Sequence, residues 1–439
     1  MTRRRSTSDF LIKFAAPLLF GVFLAASAPV RAQKPEAEPA TPPADVTRLL
    51  RDAQRALDGK DFTSAAETLR SVVKLQPDFA PAWFNLAYAY TALHRNEDAI
   101  EAYGKTLELQ PDLFEARLNL GILLIEMKRA PQAVEHLERA AALKPDNPRA
   151  HLYYARALAQ AGKPQEAEKQ FRETLRLDPG LAIAHFDLGQ LDLGEKRYED
   201  ARQSFEKAAE LDSKLAQAQL GLALAAEGLN QPPEAVNHFQ QYLAAQPDDV
   251  ETRFHLAKIY LREGKNEQAL ESLEKVDQAK PDLAGLAAAL ADVYALLKKF
   301  PESEKFYRQA LSASPLEPDL HRALGQTLIE EGKFAEAEAE FRSALKLDPH
   351  NRDALKGLSS SLFLQKRYAE ALPLYETLAG APESPGVFFL LATCYDHLKD
   401  RRKALENYER YLDLSHGRNP DQEWQARQRV KLLHDELKR

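Results

Sequence analysis

Residues Ala80–Asn119 read APAWFNLAYAYTALHRNEDAIEAYGKTLELQPDLFEARLN, and this stretch decides the fold. Phe84, Leu86, Ala87 and Tyr90 recur at helical spacing. After the short break His94-Arg95-Asn96, Ala99, Ile100, Tyr103 and Leu107 do the same. So short a break between two amphipathic segments permits only an antiparallel helical hairpin. Ala87 and Ala99 are small because the helices cross closely there, and overpacking such a crossing costs roughly 1–3 kcal/mol. Pro111 closes the second helix, since proline lacks an N–H and disfavours helix in the residue before it. A single hairpin cannot bury both of its faces, so it needs neighbours of the same kind.

Those neighbours follow at steps of 34 residues. Units start near Val46, Ala80, Phe114, Pro148, Ala182, Ala216, Val250, Ala284, Pro318, Arg352 and Pro385. A first small position runs through Ala53, Ala87, Gly121, Ala155, Gly189, Ala223, Ala257, Ala291, Gly325, Ser359 and Ala392. A second runs from Ala65 and Ala99 to Ala371 and Ala404, broken only by Ser303. Four residues further on stands an aromatic or Leu: Leu69, Tyr103, Leu137, Phe171, Phe205, Phe239, Leu273, Tyr307, Phe341, Tyr375, Tyr408. The period and columns resemble the tetratricopeptide repeat family. The resemblance implies an all-α superhelical solenoid of about eleven helix-turn-helix hairpins spanning 46–418. In this family the first helices line a concave groove.

The ends differ in composition. Residues 1–32 read as a signal peptide: Arg3-Arg4-Arg5, an apolar run Phe14–Ala26, and Val30-Arg31-Ala32 before Gln33 as the preferred cut. The run is short for a membrane span of about 20 residues, and an uncleaved anchor is the alternative. Cleavage would shift the net charge from −7 to about −11. Residues 33–45, with Pro35, Pro39, Pro42 and Pro43, form a linker. The expectation is an exported chain, periplasmic or secreted, touching the membrane only through its signal. At the other end, 419–439 reads as a capping helix, with Asn419 as N-cap and an apolar stripe of Ala426, Val430, Leu433 and Leu437. The run Ala379–Gly386 is the expected joint.

No motif points to catalysis: there is no Walker loop, G-x-S-x-G or H-E-x-x-H, and the repeats leave no room for a catalytic domain. The chain is expected to be no enzyme and to carry no cofactor or metal. His151, His185 and His321 share one register and read as amphipathic rings in the place of Trp83. Cys394 reads as a buried small hydrophobe. The acidic balance and lack of a basic stripe argue against nucleic acid, and no small-molecule substrate is expected.

The groove remains. One column of the first helices carries Phe84, Leu118, Leu152, Phe186 and Phe254, and its neighbour Asn85, Asn119 and Tyr153. Tyr88 opens a third. Amides for a ligand's backbone beside apolar rungs for its side chains suit a peptide or partner protein. The other reading of Phe84, Phe186 and Phe254 is packing between neighbouring first helices. The expected function is a non-catalytic protein-binding scaffold. The alternative is a structural subunit of an envelope assembly or secretion complex that uses its convex face.

Overall fold

The structure, a computed structural model, describes residues 44–379 and 385–438. The expected signal peptide, nearly all of the linker and most of the expected joint lie outside the described residues. Those residues form 23 helices and no strand. They divide into two compact units, parted at Gln231. The first unit holds α1 (Ala44–Asp58), α2 (Phe62–Leu75), α3 (Ala80–Ala92), α4 (Asn96–Leu109), α5 (Phe114–Glu126), α6 (Ala130–Leu143), α7 (Pro148–Gln160), α8 (Pro164–Leu177), α9 (Ala182–Gly194), α10 (Tyr198–Leu211) and α11 (Ala216–Gly228). The second holds α12 (Pro232–Ala245), α13 (Val250–Arg262), α14 (Asn266–Ala279), α15 (Leu286–Leu296), α16 (Phe300–Ala313), α17 (Pro318–Glu330), α18 (Phe334–Leu347), α19 (Arg352–Leu364), α20 (Tyr368–Ala379), α21 (Pro385–His397), α22 (Arg401–Ser415) and α23 (Pro420–Lys438). Within each unit every helix packs on the next, and first helices of adjacent repeats meet, as α5 and α9 do with α7. Among the described residues no helix is long and apolar enough to cross a membrane.

Each hairpin turn hinges on one left-handed residue. Lys60, His94, Lys128, Gly162, Lys196, Asn230, Gly264, Lys298, Gly332, Lys366 and Lys399 all have φ between 57° and 77°. Eight of these eleven carry a side chain, so the turn geometry is imposed by the packed helices against a local cost. The closing proline is tied down as well. Trp83 donates through Nε1 to the Pro77 carbonyl at 2.8 Å. Arg117 reaches Pro111 at 2.6 Å and Arg253 reaches Pro247 at 2.8 Å. His151, His185 and His321 place Nε2 at 3.0, 3.1 and 3.1 Å from the carbonyls of Pro145, Pro179 and Pro315. The three histidines are thus ring donors that stand where Trp83 stands, satisfying a loop carbonyl that would otherwise lack a partner.

The small positions are fully covered, with Ala87, Ala155 and Ala167 at 0% exposure. At two of the phenylalanines of the second-helix column glycine receives the ring: Phe205 lies between Gly189 and Gly221, and Phe341 between Gly325 and Gly357. Ion pairs staple successive second helices, linking Arg129 to Glu97 (2.6 Å), Arg197 to Glu168 (2.9 Å) and Arg367 to Glu338 (2.6 Å). At the C-terminus α23 starts after Asn419, whose Oδ1 accepts from the Gln422 N–H at 3.4 Å. Ala426 and Leu433 are 0% exposed in the core with Tyr408 and Tyr411. Val430 is half-buried, and Leu437 leaves the expected stripe for solvent because it sits in the helix's last turn. Arg429 fixes α23 with a fork onto Asp396, at 2.5 and 2.7 Å. Cys394 is fully buried, and burial pushes its thiol up to about 12.

Candidate functional site

The first helices of the first unit, α3, α5, α7 and α9, bring most of the expected residues onto one face. Register fixes which ones meet. Arg156 on α7 and Asp187 on α9 are joined, Nε to Oδ2, at 2.5 Å. The same two positions hold Tyr88 and Asn119 two repeats earlier, and Gln54 and Asn85 three repeats earlier. Of these three pairs of positions, Arg156 and Asp187 are joined, whereas Tyr88 packs on Phe62 and Gln54 donates to Asp58.

The depth of each residue divides the expected set. Leu118 and Leu152 are each 5% exposed and belong to the core, so their surface is already spent on packing. Phe84 is half-buried and meets the Tyr103 ring edge-on, centroids 6.0 Å apart. Phe186 is half-buried at 5.7 Å from Phe205. Tyr88 is half-buried and meets Phe62 edge-on at 6.1 Å. Each of these rings packs inward with one side and leaves the other open. Phe254 belongs to the second unit, half-buried under the Lys258 ammonium, which lies 4.9 Å from its centroid.

The polar residues differ more sharply. Asn119 is half-buried and lies near the hydroxyl of Tyr103, as does Thr91. Burial pushes the Tyr103 phenol well above its ordinary range, and these two polar neighbours pull it part of the way back. Asn85 is 9% exposed and makes no side-chain hydrogen bond among the described residues. Gln54 donates through Nε2 to Asp58 at 2.8 Å, while its Oε1 is buried without a partner. Tyr153 is buried at 8% exposure between two guanidinium groups, Arg149 at 5.6 Å and Arg156 at 5.2 Å from its centroid. Burial pushes the Asp187 carboxyl upward, and Arg156 opposes the shift. Sequence columns held Arg156 and Asp187 separately and missed their pairing, and they missed Arg149 and the Tyr103 hydroxyl. The offset of 31 residues between Arg156 and Asp187 was the signal that finds that pair.

The tetratricopeptide repeat profile matches residues 118–182, 155–216, 180–249, 220–284 and 322–388, and related tetratricopeptide repeat profiles match 80–113 and 260–327. The chain belongs to the tetratricopeptide repeat family. Arrays of this family generally bind proteins and are typically not catalysts. Among solved structures, MamA from Desulfovibrio magneticus RS-1 is similar at 21% identity and a TM-score of 0.38, covering 39% of this chain and 98% of its own. Pseudomonas aeruginosa PilF is similar at 19% identity and a TM-score of 0.41, covering 46% and 92%. Yeast Tom70 is similar at 16% identity and a TM-score of 0.34, covering 90% and 96%. No curated protein matches the chain.

Proposed function

We propose that the first-helix face of the first unit docks a peptide segment of a partner protein, in an exported scaffold whose leader is removed after Ala32. One observation carries this reading. Asn85 is nine-tenths buried and makes no side-chain hydrogen bond among the described residues, yet its amide atoms are not enclosed and keep an opening to solvent. A peptide backbone laid along the face supplies partners for the Asn85 amide. Half-open Phe84, Tyr88 and Phe186 then cover its side chains, while Leu118 and Leu152 hold the floor.

The test is selection of random 12-residue peptides displayed on phage against the immobilised full chain, followed by calorimetry on the captured peptides. Asn85→Ala with Asn119→Ala should weaken binding at least tenfold with the circular dichroism spectrum unchanged. Equal affinity moves the binding surface off this face. The assembly reading would then lead, and it draws on Leu75, Leu109 and Leu211, exposed at 59%, 39% and 39% at the same position of their second helices.

A further inference from the structure

At the C-terminal end of the second unit, three leucines one repeat step apart point into solvent. Leu364 ends α19, Leu398 follows α21 and Leu432 lies on α23, at 43%, 42% and 54% exposure. Each is 34 residues from the next. Further back the same column reads Gln160, Gly194, Gly228, Arg262, Leu296 and Glu330, so three successive leucines belong to this end. Side-chain contacts hold the three places together. His397 stacks on Tyr368, centroids 4.2 Å apart and planes 1° from parallel, which fastens the turn after α21 to the turn after α19. Asp396 takes the fork of Arg429, and Arg401 reaches Glu436 at 2.7 Å, so α23 is pinned on both sides of Leu432.

Pairing consumes the carboxylates of this edge and leaves cations over. Glu370 is bound to Arg367, Asp396 to Arg429 and Glu436 to Arg401. Asp400 accepts from the Lys403 N–H as a helix cap. Lys366, Lys399, Arg402 and Lys431 are exposed, and none has a carboxylate partner among the described residues. Asp435 is the free acid near them. A leucine beside an unpaired cation thus recurs on three successive repeats, in a chain whose net charge is −7.

We propose that this edge rests on a membrane surface containing anionic lipids, with the leucines in the headgroup layer and the cations on lipid phosphates. A folded partner fits less well. Packed helices lie about 8–10 Å apart, so leucines at that spacing with charge between them offer no continuous apolar core to an interface. A fluid layer closes around each side chain separately. Surfaces that mix apolar and basic residues bind it by burial and by attraction to anionic headgroups. Lysine carries its charge on a flexible stem, which suits phosphates that hold no fixed geometry. The inference is independent of the peptide-docking face, which belongs to the first unit.

Vesicle flotation tests this, using the chain from Gln33, which keeps every described helix and lacks the apolar run Phe14–Ala26. The protein should float with vesicles of phosphatidylcholine and phosphatidylglycerol and stay behind with phosphatidylcholine alone. Raising the salt to about 1 M should release it. Leu398→Ser with Leu432→Ser should weaken binding about tenfold, and so should Lys366→Gln with Lys399→Gln. All four side chains are exposed, so the circular dichroism spectrum should stay unchanged. Trp424 is 65% exposed but stands about 12 Å back along α23 from Leu432, and Trp424→Ala should leave binding as it is. No flotation with either vesicle, equal flotation with both, or binding that survives both double changes overturns the proposal. Loss of binding with Trp424→Ala moves the contact off this edge. Self-association without lipid, abolished by Leu398→Ser with Leu432→Ser, gives the leucines to a second copy and overturns it as well.

Discussion

Gly221→Ala should destabilise the first unit, although the same change is stabilising at an ordinary helix position. Gly221 lies in α11, and a Cβ built there would sit 2.6 Å from Cε1 and Cζ of Phe205. Ordinary contacts begin about 1 Å further out, so the ring must move. It has nowhere to go: Phe205 is 0% exposed, and on its other side a Cβ at Gly189 would already lie 2.9 Å from it. Overpacking of this kind costs roughly 1–3 kcal/mol. Replacing glycine by alanine within a helix returns about 1 kcal/mol. The net is a loss of up to about 2 kcal/mol, worth roughly 2–4 °C in melting temperature per kcal/mol for a unit of this size. Gly104→Ala is the control, because a Cβ there meets nothing within 4 Å, and it should stabilise by up to about 1 kcal/mol. Phe205→Leu should rescue Gly221→Ala, since two repeats on the same three positions hold Ala257, Leu273 and Ala289. Urea unfolding of the four variants measures the coupling. If Gly221→Ala is as stable as Gly104→Ala, the wedge is not tight and the account of where glycine replaces alanine fails.

Three further outcomes are expected. Burial alone would raise the Glu304 carboxyl, but hydrogen bonds from Lys333 (2.5 Å) and Arg308 (2.8 Å) outweigh it and hold it at about 2, against an ordinary 4.5. A depressed carboxylate stabilises fully above its unfolded value, so at most about 3 kcal/mol should be lost as pH falls from 4.5 to about 2. Denaturant titrations of wild type and Glu304→Gln across that window should converge at the acid end, and parallel curves would refute the linkage. Lys196→Gly relieves a left-handed residue (φ 60°) in an exposed turn and should stabilise by about 0.5–1 kcal/mol, read as a higher melting temperature. Truncation before Asn419 uncovers Tyr408 and Tyr411, now 5% and 2% exposed, and should lower the melting temperature and cause self-association in sedimentation. A monomer with an unchanged melting curve would show that α23 does not close the array.

The fold was legible because its determinants repeat. A small residue at every crossing, an aromatic four positions on and a closing proline are each forced by packing in every unit, so 34-residue arithmetic exposes them. The ring donors were legible as a register shared by Trp83 and three histidines, but the Pro carbonyl they serve lies six residues away in the loop and needs coordinates. The site was legible as a face and not as a depth. Helical periodicity puts Phe84 and Leu118 in one column, yet Leu118 is 5% exposed and Phe84 is half open, because each sits between different neighbours. Pairings such as Arg156 with Asp187 were hidden because they join different columns of successive repeats.

That difference in legibility bears on function. A column filled by the same chemistry in every repeat is explained by stacking alone and says nothing of a partner. A polar residue that no neighbour satisfies needs another account. Asn85 is such a residue: the equivalent Asp187 is bonded to Arg156, whereas Asn85 is as deeply buried as Tyr153 and makes no side-chain hydrogen bond among the described residues. The Asn85 amide is left for a docked backbone, which is why its substitution should change what binds before it changes what folds.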